Sequence, residues 1–484
     1  MRVLFLQDNG LNESLALTEL SAYLKRAGHT TELFIEREEK NLFGKITGFN
    51  PDLFILPCSV LGHLWVLRIA SELKKRFPKK KIVLGGTHPS FYPEIIEDEN
   101  VDIICIGEAD DAILELCDTI QRGGDISHIQ NLYVKTADGE IIRNPVRPLI
   151  ADLDSLPMPD RELYYKYPFI RDFTWKKFMS GRGCVNNCAY CYNPAIREKY
   201  TSKGSYVRMK SPEKVVNEIQ HIKDHYPFRS AHFSDDIFAS NPAWLETFTE
   251  EYRQRVGVPF SCNMCVEFAT ERTVGALKRA GCRAIAIGVE TGDETMRQQI
   301  MGKTCTDDEI RRAAKVIKGH RIVLVTFNIL ASPGETPEQA LKTLEFNSKI
   351  DADYSIVNFG VPIPNTRYAQ MGIEMGVLKQ QSIDELLSGF DFHRVGPHPI
   401  FKTPYEREFI NLNYLFRLGN SIPLSLPLIR SLIHLPPNPL FKVLNLMMLY
   451  SFKQIYGIPW IDGMRYFLHV GYPDRRTTNF PSLI

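Results

Sequence analysis

The chain has 484 residues, of which 44% are hydrophobic and 24% charged, and its formal net charge is +1. That length exceeds what one hydrophobic core fills and implies two or three domains. The composition excludes a disordered chain, and the near-neutral charge removes the electrostatic case for coating DNA or RNA.

The opening MRVLFLQDNG has an apolar run too short for a secretory h-region and reads as a first strand. A reducing cytoplasm is therefore the expected compartment. Over residues 1–150, short apolar runs at 3–7, 32–36, 53–57, 82–84 and 101–106 alternate with amphipathic stretches at 14–27 and 64–76. This βαβ rhythm predicts a Rossmann-like, doubly wound parallel sheet with ligands at the carboxyl ends of its strands. Periodicity alone does not separate a nucleotide-binding module from a flavodoxin-like one.

The loops are more specific. Ser59-Val60-Leu61 follows the third strand and Gly85-Gly86 the fourth, and the pair resembles the S-x-L and G-G elements of cobalamin-binding domains. The neighbouring GTHP (86–89) and IGEAD (106–110) also resemble loops of that family. The resemblance implies that Ser59, Leu61, Gly85 and Gly86 line the slot for the nucleotide tail of cobalamin. A hydroxyl and two residues without side chains suit the entry of a bulky group. The first loop, DNGLNE (8–13), lacks the histidine of the family's D-x-H-x-x-G element. This implies cobalamin bound with its own base displaced and no histidine from this loop on cobalt. His88 reads as a solvated or backbone-bonded side chain rather than a cobalt ligand.

A proline-rich stretch, LDSLPMPD (153–160), marks a linker over 151–165. The loop SGRGCVNNCAYCYN (180–193) then presents Cys184, Cys188 and Cys191, three thiolates with no fourth nearby in sequence. Structural zinc sites and ordinary electron-transfer clusters take four protein ligands, so three leave a coordination position open. The plainer alternatives are a three-cysteine zinc site completed by a distant histidine, or thiols that merely cluster. The C-x3-C-x2-C spacing, with Tyr190 before the last cysteine, resembles the cluster loop of the radical S-adenosylmethionine (SAM) superfamily. The resemblance implies that the three cysteines are the catalytic metal ligands of a 4Fe-4S cluster. SAM would then chelate the fourth iron, with Tyr190 near its adenine.

Residues 166–375 alternate strands at 177–180, 231–233, 260–264, 284–289, 323–330 and 354–359 with helices, which predicts a partial (β/α)6 TIM-type barrel. Asp235 and Asp236, with Phe238, form a D-D-x-F pattern after the second strand. It resembles the segment that cobalamin-type members carry where other radical SAM enzymes contact the SAM amino group. Glu290 follows the fourth strand and resembles the acidic residue that accepts from the SAM ribose, a role suited to a carboxylate. For each of the three, an N-cap or loop carboxylate is the plain alternative. Cys262 and Cys265, three apart in a strand, point to opposite faces and are poorly placed to share a metal. Glu267, Asn328 and Asn358 are weaker candidates for substrate or SAM contact, or else satisfied polar residues of the barrel.

Residues 376–484 mix aromatic and aliphatic residues with prolines, and no uninterrupted apolar stretch reaches the length of a membrane span. A mostly helical cap over the barrel mouth is the first reading. An interfacial surface or greasy pocket for a lipid-like substrate, with peripheral membrane association, is the second.

Across residues 1–375 the chain thus resembles the cobalamin-binding radical SAM enzymes, and its motifs are similar to those of the class B methyltransferases. The family implies a 4Fe-4S cluster, SAM and cobalamin, fed by an electron donor such as flavodoxin or ferredoxin. It further implies a 5'-deoxyadenosyl radical and methylcobalamin acting on an unactivated carbon of a small-molecule or lipid-like metabolite. Two alternatives stay open: an oxidative cyclase or rearrangase resembling the anaerobic porphyrin ring-forming enzymes, and, remotely, a non-catalytic cobalamin sensor.

Overall fold

The computed structural model describes residues 1–9, 13–60, 62–380, 398–436, 438, 440, 441 and 455. The chain divides into two compact units, one holding residues 1–172 and 195–208, the other beginning with residues 173–194 and resuming at 209.

In the first unit a seven-stranded sheet has the order β2-β1-β3-β4-β5-β6-β7, with β1 Arg2–Gln7, β2 Thr30–Ile35, β3 Leu53–Pro57, β4 Lys81–Gly85, β5 Ile103–Cys105, β6 Leu132–Lys135 and β7 Ile141–Arg143. The first five are parallel, as the sequence predicts. They read as continuous apolar runs because helices cover both faces. Leu4, Leu6, Phe54, Leu56, Ile82, Leu84 and Ile104 meet Ile69 and Leu73 of the helix His63–Arg76 in one core. The last two strands form an antiparallel addition that the periodic reading omits. Its turn is set by Asp138-Gly139, where Gly139 has φ +88° and the Thr136 N–H donates to the Glu140 carbonyl at 2.8 Å. Residues 195–208 return to this unit, where the Tyr200 hydroxyl accepts from the Glu108 N–H at 2.8 Å.

The second unit is built on six parallel strands in sequential order: β8 Trp175–Phe178, β9 Ser230–Phe233, β10 Phe260–Met264, β11 Cys282–Glu290, β12 Val323–Leu330 and β13 Tyr354–Phe359. β8 and β13 are its edges, so the sheet is the open partial barrel expected from six strand–helix units. Side-chain caps start the intervening helices: Thr306 and Glu309 form a capping box for Asp307–Gly319, and Thr336 and Gln339 another for Pro337–Lys349. The described part of the C-terminal region is helical. Helix Glu406–Ser421 lays Phe409, Leu412, Leu415 and Phe416 against Leu341 and Leu344 of Pro337–Lys349. Among the described residues no helix is long and apolar enough to cross a membrane.

Candidate active site

The sulfur-bearing loop leaves the carboxyl end of β8 and is held from several sides. Asp235, just past β9, is buried, and its Oδ1 accepts from the Ser180 N–H at 2.8 Å, the Ser180 hydroxyl at 2.7 Å and the Gly181 N–H at 2.8 Å. Burial raises its pKa to about 6, against the lowering pull of those bonds and of Lys210. Asp235 thus anchors the entry of the loop, while its Oδ2 has no hydrogen-bond partner among the described residues. Asp236 is exposed and accepts from the Tyr192 hydroxyl at 3.3 Å. The middle of the loop is pinned through Ala189, whose N–H donates to the Met301 carbonyl at 2.8 Å and whose carbonyl accepts from the Tyr368 N–H at 3.0 Å. Gly302 is required there: at φ +65°, a Cβ would stand 3.0 Å from the Asn187 carbonyl oxygen and 3.1 Å from the Ala189 nitrogen.

Of the three loop cysteines, Cys184 is buried and Cys188 and Cys191 are half-buried; none is in a disulfide. The Asn186 N–H donates to Cys184 Sγ at 3.4 Å, and the Asn193 N–H to Cys191 Sγ at 3.5 Å. Such N–H groups stabilise negative charge on sulfur. Burial raises the Cys191 thiol to about 11, and Cys188 is also raised, opposed by Lys303. A bound cation is what deprotonates such thiols. Among the described residues no three His, Cys, Asp or Glu side chains converge on one point as single-ion ligands. Cluster ligands need not do so, because each cysteine binds a different iron.

Glu290 ends β11 just after a register shift at Gly288, and it adopts φ +62°, a left-handed conformation costly for a side-chain-bearing residue. That backbone turn aims its buried carboxylate at the loop, where Oε1 accepts from the Tyr190 hydroxyl at 2.7 Å and from Lys303 Nζ at 3.1 Å. Lys303 also donates to the Gly288 carbonyl at 2.8 Å. A Cβ on Gly288 would meet both partners, Glu290 Oε1 at 2.2 Å and Lys303 Nζ at 2.5 Å. Three predicted residues, Cys188, Tyr190 and Glu290, are therefore in one electrostatic group. The sequence reading missed its cation, Lys303, which sits in a short Met-Gly-Lys turn without periodic signal.

Cys262 and Cys265 part company: Cys262 is buried beside Cys282, whereas Cys265 Sγ accepts from Asn186 Nδ2 at 3.2 Å. Cys265 thus lies against the cysteine loop, a neighbour that spacing did not reveal. Asn328 is buried in a polar network, accepting from Asn347 Nδ2 at 2.7 Å and donating to Thr326 Oγ1 at 3.1 Å. Glu267 and Asn358 are exposed. Beyond β12, Glu335 is buried, its Oε2 accepts from the Ser332 N–H at 2.9 Å, and its Oε1 has no hydrogen-bond partner among the described residues. Two such buried, unpaired carboxylate oxygens, Glu335 Oε1 and Asp235 Oδ2, suit a polar ligand such as SAM.

In the first unit the two predicted loops are tied by their backbones. The Cys58 N–H donates to the Gly85 carbonyl at 2.7 Å, and the His88 N–H to the Cys58 carbonyl at 3.0 Å. Ser59 and Gly86 are exposed, Gly85 is half-exposed with nothing within 4 Å of a Cβ built on it, and Leu61 lies outside the described residues. Space beside Gly85 and a hydroxyl at Ser59 suit the entry of a bulky tail.

Comparison with known proteins agrees with both halves. The profile of the Radical SAM superfamily matches residues 178–346, and that of the B12 binding domain matches residues 1–117. An uncharacterized methyltransferase of Pyrococcus horikoshii is 26% identical over 337 residues, 69% of this chain and 72% of the relative. The hopanoid C-2 methylase of Rhodopseudomonas palustris is 23% identical over 295 residues, 59% of this chain and 51% of that protein. The fold is similar to that of the radical SAM methyltransferase TsrM of Kitasatospora setae, solved with cobalamin and a [4Fe-4S] cluster, at TM-score 0.64 and 18% identity over 77% of this chain and 74% of that one. The chain belongs to the radical SAM enzymes that carry a B12-binding domain, whose cofactors are a 4Fe-4S cluster, SAM and cobalamin.

Proposed function

We propose that this enzyme transfers a methyl group from SAM, by way of cobalamin, to an unactivated carbon of a small-molecule or lipid-like metabolite. The carrying observation is the thiol loop of Cys184, Cys188 and Cys191, pinned by Asp235, Met301 and Tyr368 and faced by the Tyr190–Glu290–Lys303 group. The names of the two relatives described above, a methyltransferase and a methylase, support methyl transfer over cyclisation or rearrangement. When bound, the cluster supplies the electron that cleaves SAM and cobalamin carries the methyl group.

In this reading the chain's residues position and shield. Cys184, Cys188 and Cys191 hold the cluster, and Glu290 accepts from a sugar diol while Lys303 and Tyr190 fix its carboxylate. Asp235 keeps the loop in register, so that loop geometry survives each turnover. Ser59, Gly85 and Gly86 admit the cobalamin tail. A flavodoxin- or ferredoxin-type donor supplies the electron.

The decisive experiment needs no substrate. Anaerobically reconstituted protein is incubated with cobalamin, a strong reductant and SAM labelled on its methyl group. Labelled methylcobalamin on the protein is the expected result, and unlabelled cobalamin beside cleaved SAM would favour the cyclase or rearrangase. Cys188→Ala should abolish SAM cleavage while sparing cobalamin binding.

The lipid-like substrate class has its own support. Ile422, Leu424, Leu428, Leu435 and Leu440 are exposed, with Leu424 at 92%. Leu424 and Leu428 stand in the consecutive helical turns Pro423–Ser425 and Leu426–Leu432, and exposed apolar side chains there suit an interfacial contact. Vesicle co-sedimentation of the protein, lost in Leu424→Glu with Leu428→Glu, is the expected outcome, and equal sedimentation of both proteins overturns it.

A further inference from the structure

Directly behind the Gly85-Gly86 loop is a stacked pair of imidazoles. His63 and His88 have ring centroids 4.7 Å apart and planes within 6° of parallel. Both are 1% exposed. The Val60 carbonyl, inside the Ser59-Val60-Leu61 element, accepts from His63 Nδ1 at 2.9 Å, which fixes the tautomer of that ring. His88 is held from its backbone instead, through its N–H on the Cys58 carbonyl at 3.0 Å and its carbonyl, which accepts from the Tyr92 N–H at 2.7 Å. Tyr92 also meets the His88 ring edge to face at 5.8 Å.

The ring of His88 is therefore packed against His63 and Tyr92 on a tethered backbone, yet neither of its nitrogens has a hydrogen-bond partner among the described residues. Leaving a buried polar group unpaired is costly, so such a ring is kept only where packing or a ligand compensates. Packing alone would accept phenylalanine. Burial, and then the neighbouring His63, hold the imidazole neutral, lowering its pKa to about 3. A neutral imidazole carries one N–H and one acceptor nitrogen.

The ligand chemistry follows from the first loop. On the reading that cobalamin binds here with its own base displaced, no histidine in residues 8–13 takes that base's place, and the base carries a heterocyclic nitrogen with a free lone pair into the protein. That nitrogen needs a donor. We propose that His88 is the recognition residue for the cobalamin tail, donating its ring N–H to the lone-pair nitrogen of the displaced heterocyclic base. The assignment rests on the cobalamin reading of this unit and gives the stacked pair a role beyond the S-x-L and G-G elements.

The probes are hydroxocobalamin and cobinamide, the same corrin without nucleotide and base, bound to the full chain and followed by equilibrium dialysis with visible absorbance. His88→Phe keeps the ring stack and removes the donor; His88→Gln keeps an N–H. The expected result is about tenfold weaker cobalamin binding in His88→Phe, with cobinamide binding unchanged and His88→Gln intermediate. Unchanged cobalamin affinity, or equal weakening of both probes in both variants, overturns the tail contact while leaving the cobalamin reading intact. Wild-type protein that binds neither probe overturns both.

Discussion

The Tyr190 hydroxyl donates to Glu290 Oε1 at 2.7 Å, and Lys303 reaches the same oxygen at 3.1 Å. The carboxylate is 7% exposed and the ammonium 14%, so each charge depends on the other. Removing one partner of a buried pair costs about 3–5 kcal/mol, because the survivor stays buried without compensation. Glu290→Ala should therefore lower the urea midpoint sharply. Pairing it with Lys303→Met should recover part of the loss, and SAM affinity measured in the double variant then isolates what Glu290 does for the ligand. Identical midpoints for the single and double variants would refute the structural pairing.

The three bonds that Asp235 Oδ1 accepts from Ser180 and Gly181 make a second prediction. Hydrogen bonds to charged groups contribute about 1.5–3 kcal/mol each, and Asp235→Ala leaves two backbone N–H groups unmet at the loop entry. Iron and sulfide content per chain should fall, with cobalamin uptake unaffected. Asp235→Asn keeps an acceptor oxygen and should retain most of the cluster. Full iron content in the alanine variant would remove Asp235 from the loop's support.

What sequence could show here was pattern, and what it could not show was partnership. The parallel strands were readable because strands covered on both faces are continuous apolar runs, as in Leu53–Pro57. The hairpin at Asp138-Gly139 carried a turn signal that the βαβ rhythm overshadowed. Cys184, Cys188 and Cys191 stood out by spacing, but Lys303 and Glu335 are single charged residues whose meaning comes from chain crossings far apart in sequence. Asp235 was visible as a carboxylate at a strand end, where anchoring a loop and binding a ligand look alike. Cys265 was set aside on strand alternation, yet the chain leaves the strand at Met264, and the thiol turns to Asn186 at 3.2 Å.

Gly85 and Gly86 should behave differently although they are neighbours. Gly86 has φ +108° and ψ −161°, a region open essentially to glycine alone, and a Cβ there would stand 2.8 Å from the Cys58 carbonyl oxygen. Gly86→Ala should cost about 1–3 kcal/mol in folding, so lost cobalamin binding in that variant reports a damaged loop. A Cβ on Gly85 meets nothing within 4 Å. Gly85→Trp should therefore leave the urea midpoint near that of the wild type while weakening cobalamin binding at least about tenfold by filling the slot. Unaltered cobalamin affinity in Gly85→Trp would place the tail elsewhere.

Glu335 predicts a pH dependence with a definite sign. It is 4% exposed, accepts from the Ser332 N–H at 2.9 Å, and burial raises its pKa from 4.5 to about 8. Between those values the folded chain holds a proton that the unfolded chain releases. Stability from this group is thus complete below the unfolded value and is lost as pH rises through the folded one. At 1.36 kcal/mol per unit, with the slope flattening near the folded value, the contribution should drop by roughly 2 kcal/mol between about pH 6 and pH 8. Glu335→Gln keeps the shape and removes the titration. Its urea midpoint should therefore decline less over that range than that of the wild type, by an amount matching this loss. Parallel declines in the two proteins would show that Glu335 is ionised in the fold, and the orphaned Oε1 would then need a cation that the neighbouring Ser332 and Tyr368 do not supply.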